Sequence, residues 1–294
     1  MIKRSAALLA VIACVMAVVP LMAPPRPVGA APLLGGRVHS RFNPSQGKIF
    51  VLIIGNDARS GNPDESRADA IHIAGIDTKT MKGGILNFPR DSWVSVPGVG
   101  SSKMNEALYH GGPKLLAQTL ENVTGIRIDY WIMTGFEGFS DLIDEIGGVR
   151  MHIAQDVNDP TGSGAHIKAG DRVLGRFGAL AYARTRHSFP NGDIDRTTHQ
   201  GDMLLALLAK LRRQAQRDPG AVLDWLRITS THTRLDIPAP ELFRLAVLVS
   251  AMDPKDVRSV TVPVRIGAVG AASVVFIEDE ANGIFARFKR TGRL

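Results

Sequence analysis

The stretch IFVLIIG, from Ile49 to Gly55, constrains the fold more than any other part of the sequence. An apolar run without polar alternation suits a strand covered on both faces, so the sheet it joins must carry further layers above and below. Strand-like runs recur in AIHIAGI (Ala70 to Ile76), GGILNFP, SWVSVPG, DYWIMTG and VRMHIA. Between them lie helical patterns. A short one covers Lys103 to His110. The next, Pro113 to Thr124, carries Leu115, Leu116, Leu120 and Val123 on one face and is stopped by Gly125. Phe136, Phe139, Leu142, Ile143 and Ile146 repeat at helical spacing before Gly147-Gly148, and a long helix after Asp195 turns Leu204, Leu207, Leu208 and Leu211 inward. The last third adds helices around Ala221 to Leu226 and Pro240 to Met252, strands in VRSVTVPV and VVFIE, and a closing basic helix from Asp279 to about Arg290. This alternation predicts an α/β layered domain with a central mixed β-sheet.

The domain is expected over residues 49–294, with its motif-bearing part at 49–211 and closing elements at 212–294. Ahead of it, Lys3 and Arg4 precede an apolar run from Ala6 to Ala23. Residues 1–23 therefore read as an N-terminal membrane anchor or a signal peptide, with Val28-Gly29-Ala30 as a candidate cleavage site. Residues 24–48, rich in Pro, Gly, Arg and Ser, read as a linker. Either reading of the leader puts the domain outside the cytoplasm, on a single-pass anchor at the cell membrane or secreted. The formal net charge of +7 favours an anionic partner, and export argues against nucleic acid. The single cysteine, Cys14, leaves no internal disulfide and no cysteine-based zinc site.

Charged residues collect at the strand junctions. Asp57 and Arg59 follow the first strand, Arg67 and Asp69 precede the second, and Arg90 and Asp91 follow the third. Each pair alone reads equally as a turn or a surface ion pair. The stretch RTRHSFPNGDIDRTTHQ, from Arg184 to Gln200, is harder to read that way, because its guanidiniums repel unless an anion lies between them. Arg196 and Gln200 share a helix face that continues as Leu204, Leu207 and Leu211, so they should face inward at the buried end of that stripe. The helix N-terminus there adds its own attraction for anions. Carboxylates for a hard cation beside guanidiniums for phosphate oxygens form the combination that pyrophosphate chemistry requires. His187 and His199 lack metal-ligand spacing. The sequence has no P-loop and no Gly-x-Ser-x-Gly elbow.

VLIIGNDAR with RADAI, then LNFPRDSWV, KMNEALYHGG, DEIGGV and ARTRHSFPNGDIDRTTHQ, taken in that order and spacing, resemble the LytR–CpsA–Psr family of cell-envelope proteins. The resemblance implies an exported α/β/α domain that transfers a phosphoglycan from a polyprenyl-pyrophosphate-linked donor to a peptidoglycan hydroxyl. The polymer itself stays open among teichoic acid, arabinogalactan and capsule. By the same resemblance Asp57 and Asp69 would hold Mg²⁺. Arg67, Arg90, Lys103, Arg184, Arg186, Arg196 and Gln200 would contact the pyrophosphate, and Asp193 would act as base or orient an arginine. His199 stands where many relatives carry arginine. Two other outcomes fit the same residues: hydrolysis of polyprenyl pyrophosphates, or non-catalytic binding of anionic wall polymers. Apolar stripes on the helices, at Leu115, Leu120, Phe136, Phe139, Leu142 and Leu207, suit either a groove for a lipid tail or plain core.

Overall fold

The computed structural model describes residues 47–57 and 66–294, which fall within one compact unit. The expected anchor at 1–23, the cleavage site, the linker up to residue 46, and Arg59 lie outside the described residues. In chain order the elements are β1 (Lys48–Asn56), β2 (Ala68–Asp77), β3 (Lys82–Asn87), β4 (Trp93–Val96), β5 (Gly100–Lys103) and α1 (Glu106–Thr124). Then come β6 (Tyr130–Thr134), α2 (Phe136–Glu145), β7 (Val149–Ile153), β8 (Val157–Asp159), β9 (Ala165–Ile167), β10 (Gly170–Leu174) and α3 (Arg176–Arg184). The chain continues with α4 (Asp193–Arg217), α5 (Ala221–His232), β11 (Arg234–Leu235), α6 (Ala239–Ala251), β12 (Val257–Thr261), β13 (Val264–Val269), β14 (Ala272–Ile277) and α7 (Glu280–Thr291).

The central sheet runs β11-β6-β1-β2-β3-β12. β1 pairs antiparallel with β2 and parallel with β6, and β3 pairs parallel with β12, so the sheet is mixed. β1 is apolar on both faces because both are covered. Phe50, Leu52 and Ile54 point into one core, against Leu116 and Leu120 of α1 and Phe285 and Phe288 of α7. Ile49 and Val51 point into the other, against Leu242 and Leu245 of α6. Fully burying a side chain of this size contributes roughly 1.5–3 kcal/mol. A third cluster gathers α2, α3 and α4 around β7, with Ile143, Val149, Ala179 and Met203 at its centre.

α4 lies close against the sheet because Gly201 has no Cβ. A side chain there would run into Asn87 and Ser259 of β3 and β12. α1 ends as its sequence suggests, with Gly125 in the left-handed region at φ 65°. The expected short helix over Lys103 to His110 is different. Lys103 closes the β4–β5 hairpin, and the helix starts at Glu106 and runs through to Thr124 with non-helical backbone at Gly111 and Gly112. That pair of glycines is where two separate helical patterns meet. No helix among the described residues is long and apolar enough to cross a membrane.

Candidate functional site

The loop between α3 and α4 brings the arginine-rich stretch over the ends of β1, β2 and β3. β2 begins at Ala68, so Asp69 is a strand residue next to the irregularity in register between Gly55 and Asn56. Arg90, just beyond β3, forms an ion pair with Asp69 and has its Nε 3.4 Å from Asp193 Oδ1. Asp193, the first residue of α4, has the same oxygen 2.8 Å from Arg196 Nη2. Arg196 also donates to the Asp69 carbonyl at 3.3 Å, and Gln200 Nε2 donates to the Ala183 carbonyl at 2.9 Å. Asp69, Arg90, Asp193, Arg196 and Gln200 thus form one connected group drawn from three segments.

The two central arginines differ in how well they are compensated. Burial opposes the charge on Arg90, but the carboxylates of Asp69, Asp193 and Asp91 outweigh it and raise its pKa. The side chain of Arg196 is only 5% exposed. Its burial outweighs Asp193, nearby Arg90 adds repulsion, and the pKa falls. Arg196 Nε and Gln200 Oε1 are buried and meet no hydrogen-bond partner among the described residues. Arg186 adds further positive potential to Arg196. Arg90, Arg184, Arg186 and Arg196 outnumber the carboxylates of Asp69, Asp91 and Asp193, and Asp91 is also paired with Lys103, so the site is short of negative charge, which is the condition for binding an anion.

Behind this group opens an apolar cavity of about 260 Å³ between the sheet and helices α2 to α5. Phe136, Phe139, Leu142, Leu204 and Leu207 line it, and Asp69, Arg184, Arg196 and Gln200 stand at its polar end. Arg184 lies 4.6 Å from the centre of the Phe136 ring, a cation–π contact that holds the guanidinium at the mouth. The apolar stripes therefore divide. Phe136, Phe139, Leu142 and Leu207 face the cavity, while Leu120 is buried in the α1 core with Leu115 packed against it.

The remaining predicted residues lie around this centre. Asp57 accepts a hydrogen bond from the backbone of Arg67 at 3.2 Å, one strand end away from Asp69. Asp57, just past the end of β1, and Asp69, in β2, are hard oxygen donors, and each has its Oδ1 engaged. Mg²⁺ is commonly held by one or two carboxylates together with substrate phosphates, and two carboxylates are the donor type such an ion takes. No group of three or more His, Cys, Asp or Glu side chains among the described residues is arranged to hold a metal. Arg67 is mostly exposed, 3.9 Å from Glu106. Lys103 is drawn to Asp91, 3.0 Å away.

Two supporting residues escaped the sequence reading. Asp159 of β8 is buried, and it accepts from Arg186 N at 3.2 Å, Gly162 N at 3.1 Å and His187 Nδ1 at 2.9 Å. Burial works to raise its pKa, but the hydrogen bonds from His187, Arg186 and Gly162 prevail and lower it to about 2. It anchors the loop carrying Arg186. His72 of β2 lines the cavity and faces Asn87 Oδ1 at 2.8 Å, and Asn87 in turn donates to Ser259. Desolvation lowers the His72 pKa to about 4 despite the Asn87 hydrogen bond, so the ring is neutral. Neither residue belongs to a charged motif, so only the packing reveals it. His199 lies between Tyr182 and Phe189, tilted to both rings, with centroids 5.0 and 4.2 Å away. Burial lowers its pKa against the pull of Asp195, so it adds no dependable positive charge.

Known proteins share both sequence and fold with this chain. MsrR of Staphylococcus aureus, described as a regulatory protein, is 31% identical over 78% of the chain and 69% of its own length. LcpB of Corynebacterium glutamicum, a probable cell wall biosynthesis protein, is 36% identical over 60% of the chain. TagT of Bacillus subtilis, a polyisoprenyl-teichoic acid–peptidoglycan teichoic acid transferase, is 31% identical over 58% of the chain. The matches span 44% of LcpB and 54% of TagT. A structure of TagT with bound octaprenyl pyrophosphate lipid shares the fold at TM-score 0.68 and 21% identity, over 86% of this chain and 93% of that one. Residues 33–289 match the LytR_cpsA_psr family, to which the chain therefore belongs.

Proposed function

We propose that this protein transfers a phosphoglycan from a polyprenyl-pyrophosphate-linked donor to a hydroxyl of peptidoglycan, releasing polyprenyl phosphate. The observation that carries this reading is the apolar cavity ending at under-compensated guanidiniums. A polyprenyl pyrophosphate has the matching form, an apolar chain joined to a compact polyanion. The relative named as a teichoic acid transferase, and the TagT structure holding an octaprenyl pyrophosphate, support the same assignment.

The tail would occupy the space among Phe139, Leu142 and Leu207, and the pyrophosphate would lie against Arg184, Arg196 and Gln200. Arg186 would draw the anion in from the loop, and Arg90, held by two carboxylates, would keep Asp69 and Asp193 in position. In the transfer the acceptor oxygen bonds to the phosphorus next to the sugar. The bridging P–O bond breaks, and polyprenyl phosphate leaves with the electron pair. Positive charge fixed at Arg196 and Arg184 stabilises the oxygens on which charge develops. Asp57 and Asp69 would hold a Mg²⁺ ion, which when bound supplies further neutralisation of pyrophosphate charge. The N-terminal segment would place the domain outside the cytoplasm, on the membrane that carries the donor.

The test is to incubate purified protein with a polyprenyl-pyrophosphate-linked glycan and peptidoglycan, then look for a covalent glycan–peptidoglycan conjugate. Conjugate from the wild type and none from a folded Arg184→Ala variant is the expected result. Release of free glycan phosphate with no conjugate would instead assign hydrolysis.

A further inference from the structure

A cavity of about 330 Å³ opens at the other end of the sheet from the Asp69–Arg196 group. β3 starts there at Lys82 and runs six residues towards Arg90, so about 20 Å of strand, at ~3.3 Å per residue, separates the two places. β12 lies parallel to β3 and brings Arg258 in beside Gly84. The walls carry Lys82, Lys255, Arg258, Arg287 and Arg293, with Asp256 and Thr291 among them. Two of these cations have acidic partners. Lys82 is 3.1 Å from Asp256, and Arg293 is 3.4 Å from Asp77. Among the described residues Lys255, Arg258 and Arg287 form no ion pair, and Asp253, near Lys255, is taken by Arg212 at 2.6 Å.

Hydrogen bonds fix the elements that carry these side chains. Thr291 Oγ1 donates to the Arg287 carbonyl at 2.8 Å and accepts from Arg293 N at 3.1 Å, with Gly292 between them left-handed at φ 67°. Lys255 stands on the helical turn Pro254–Asp256, which Asp253 closes by accepting from Lys255 N at 3.0 Å. Lys48 Nζ donates to the Lys289 and Arg290 carbonyls at 3.2 and 3.1 Å. The negative end of α7 is therefore answered by Lys48, and the cavity's arginines keep their charge for another group.

We infer that this cavity is a second anion site, separate from the transfer site, and that it takes a phosphate mono- or diester group. Three unpaired cations facing one concavity repel each other and raise the local potential, so an anion that bridges them is stabilised there. Two are guanidiniums, whose paired N–H donors match phosphate oxygens, and the lysine adds a point charge. A tetrahedral phosphate presents oxygens both to α7, through Arg287, and to the edge of the sheet, through Lys255 and Arg258. A free phosphate and the headgroup of an anionic phospholipid both carry this group. β1 begins at this same end, with Lys48 opposite Asp77 and Asp77 opposite Lys82, so an anchor at residues 1–23 would bring lipid headgroups to the cavity's side of the domain. The site does not depend on the transfer reaction.

The experiment introduces Arg258→Gln/Arg287→Gln into the full chain, both in the wild type and in Arg184→Ala, which weakens the transfer site's own hold on phosphate. Binding of inorganic phosphate is followed by equilibrium dialysis at ~0.15 M salt, where attraction beyond about 8 Å is screened. Co-sedimentation with vesicles of phosphatidylcholine, alone or mixed with phosphatidylglycerol, is the second arm. A rise of about tenfold or more in the phosphate Kd of the Arg184→Ala chain supports the site and assigns a free phosphate. Loss of the phosphatidylglycerol-dependent binding alone supports it and assigns a lipid headgroup. The inference is overturned if neither probe separates the double change from its parent, or if Arg184→Ala by itself abolishes all binding of both. Thermal unfolding without phosphate checks the fold, and Lys255→Gln, a single change on an exposed turn, repeats the comparison if the double variant melts early.

Discussion

Asp193→Ala is the most informative perturbation of the charged centre. Its carboxylate lies 2.8 Å from Arg196 and 3.4 Å from Arg90, with the Arg196 side chain only 5% exposed. At an effective dielectric of about 20, unit charges at ~4 Å attract by about 4 kcal/mol, before desolvation is subtracted. Removing one partner of a buried pair costs about 3–5 kcal/mol, because the remaining charge is left unpaired. Asp69 still neutralises Arg90, so the lower end, about 3 kcal/mol, applies. For a domain of this size that corresponds to a fall in Tm of about 6–12 °C. Thermal unfolding followed by circular dichroism reads the shift directly. Inorganic pyrophosphate, an anion of the right charge for the two bared guanidiniums, should recover more stability in the variant than it adds to the wild type. A variant melting within about 2 °C of wild type, with no larger response to pyrophosphate, would refute the claim that Asp193 compensates both arginines.

Other consequences follow from separate parts of the site. Leu207→Trp would fill the apolar cavity, so KM for a long-chain polyprenyl donor should rise about tenfold or more while binding of inorganic pyrophosphate is kept; equal loss of both would mean that the cavity does not hold the tail. Asp57→Asn should move the midpoint of Mg²⁺ activation upward by about tenfold, and an unchanged titration would remove Asp57 from the ligand pair. His72, with its pKa lowered from 6.5 to about 4, excludes a proton that the unfolded chain takes up. Stability should therefore fall as pH drops from 6.5 to about 4, by about 3 kcal/mol at ~1.4 kcal/mol per unit. Denaturant unfolding of His72→Gln should lack that slope, and the same slope in the variant would place its origin elsewhere.

The layered fold was legible in β1 because both faces of that strand are apolar, a pattern that only coverage on both sides satisfies. The helices α2, α4 and α7 were legible for the same kind of reason, through a clear periodic stripe and glycines or turns at their ends. The strands β8 to β10 were not: Val157–Asp159 and Ala165–Ile167 are too short to carry alternation, and Gly170–Leu174 of β10 is mostly exposed. Among site residues, Arg184, Arg196 and Gln200 announced themselves by charge density at the head of a buried stripe. Lys103 shows what sequence distance hides. Its charge is satisfied by Asp91, and that pairing is set by the β4–β5 hairpin rather than by sequence distance. Asp159 gave no sequence signal, since an isolated acid in a short strand resembles any surface aspartate until burial and its three hydrogen bonds are seen. The apolar cavity was equally hidden, because Phe139 and Leu120 belong to similar stripes and only packing sends one to a void and the other to the core.

The most direct measurement is the crystal structure of the protein bound to a polyprenyl pyrophosphate. The account requires the pyrophosphate against Arg184, Arg196 and Gln200, with the chain running among Phe139, Leu142 and Leu207. A lipid bound elsewhere, with the cavity unfilled and the guanidiniums free of phosphate, would contradict it.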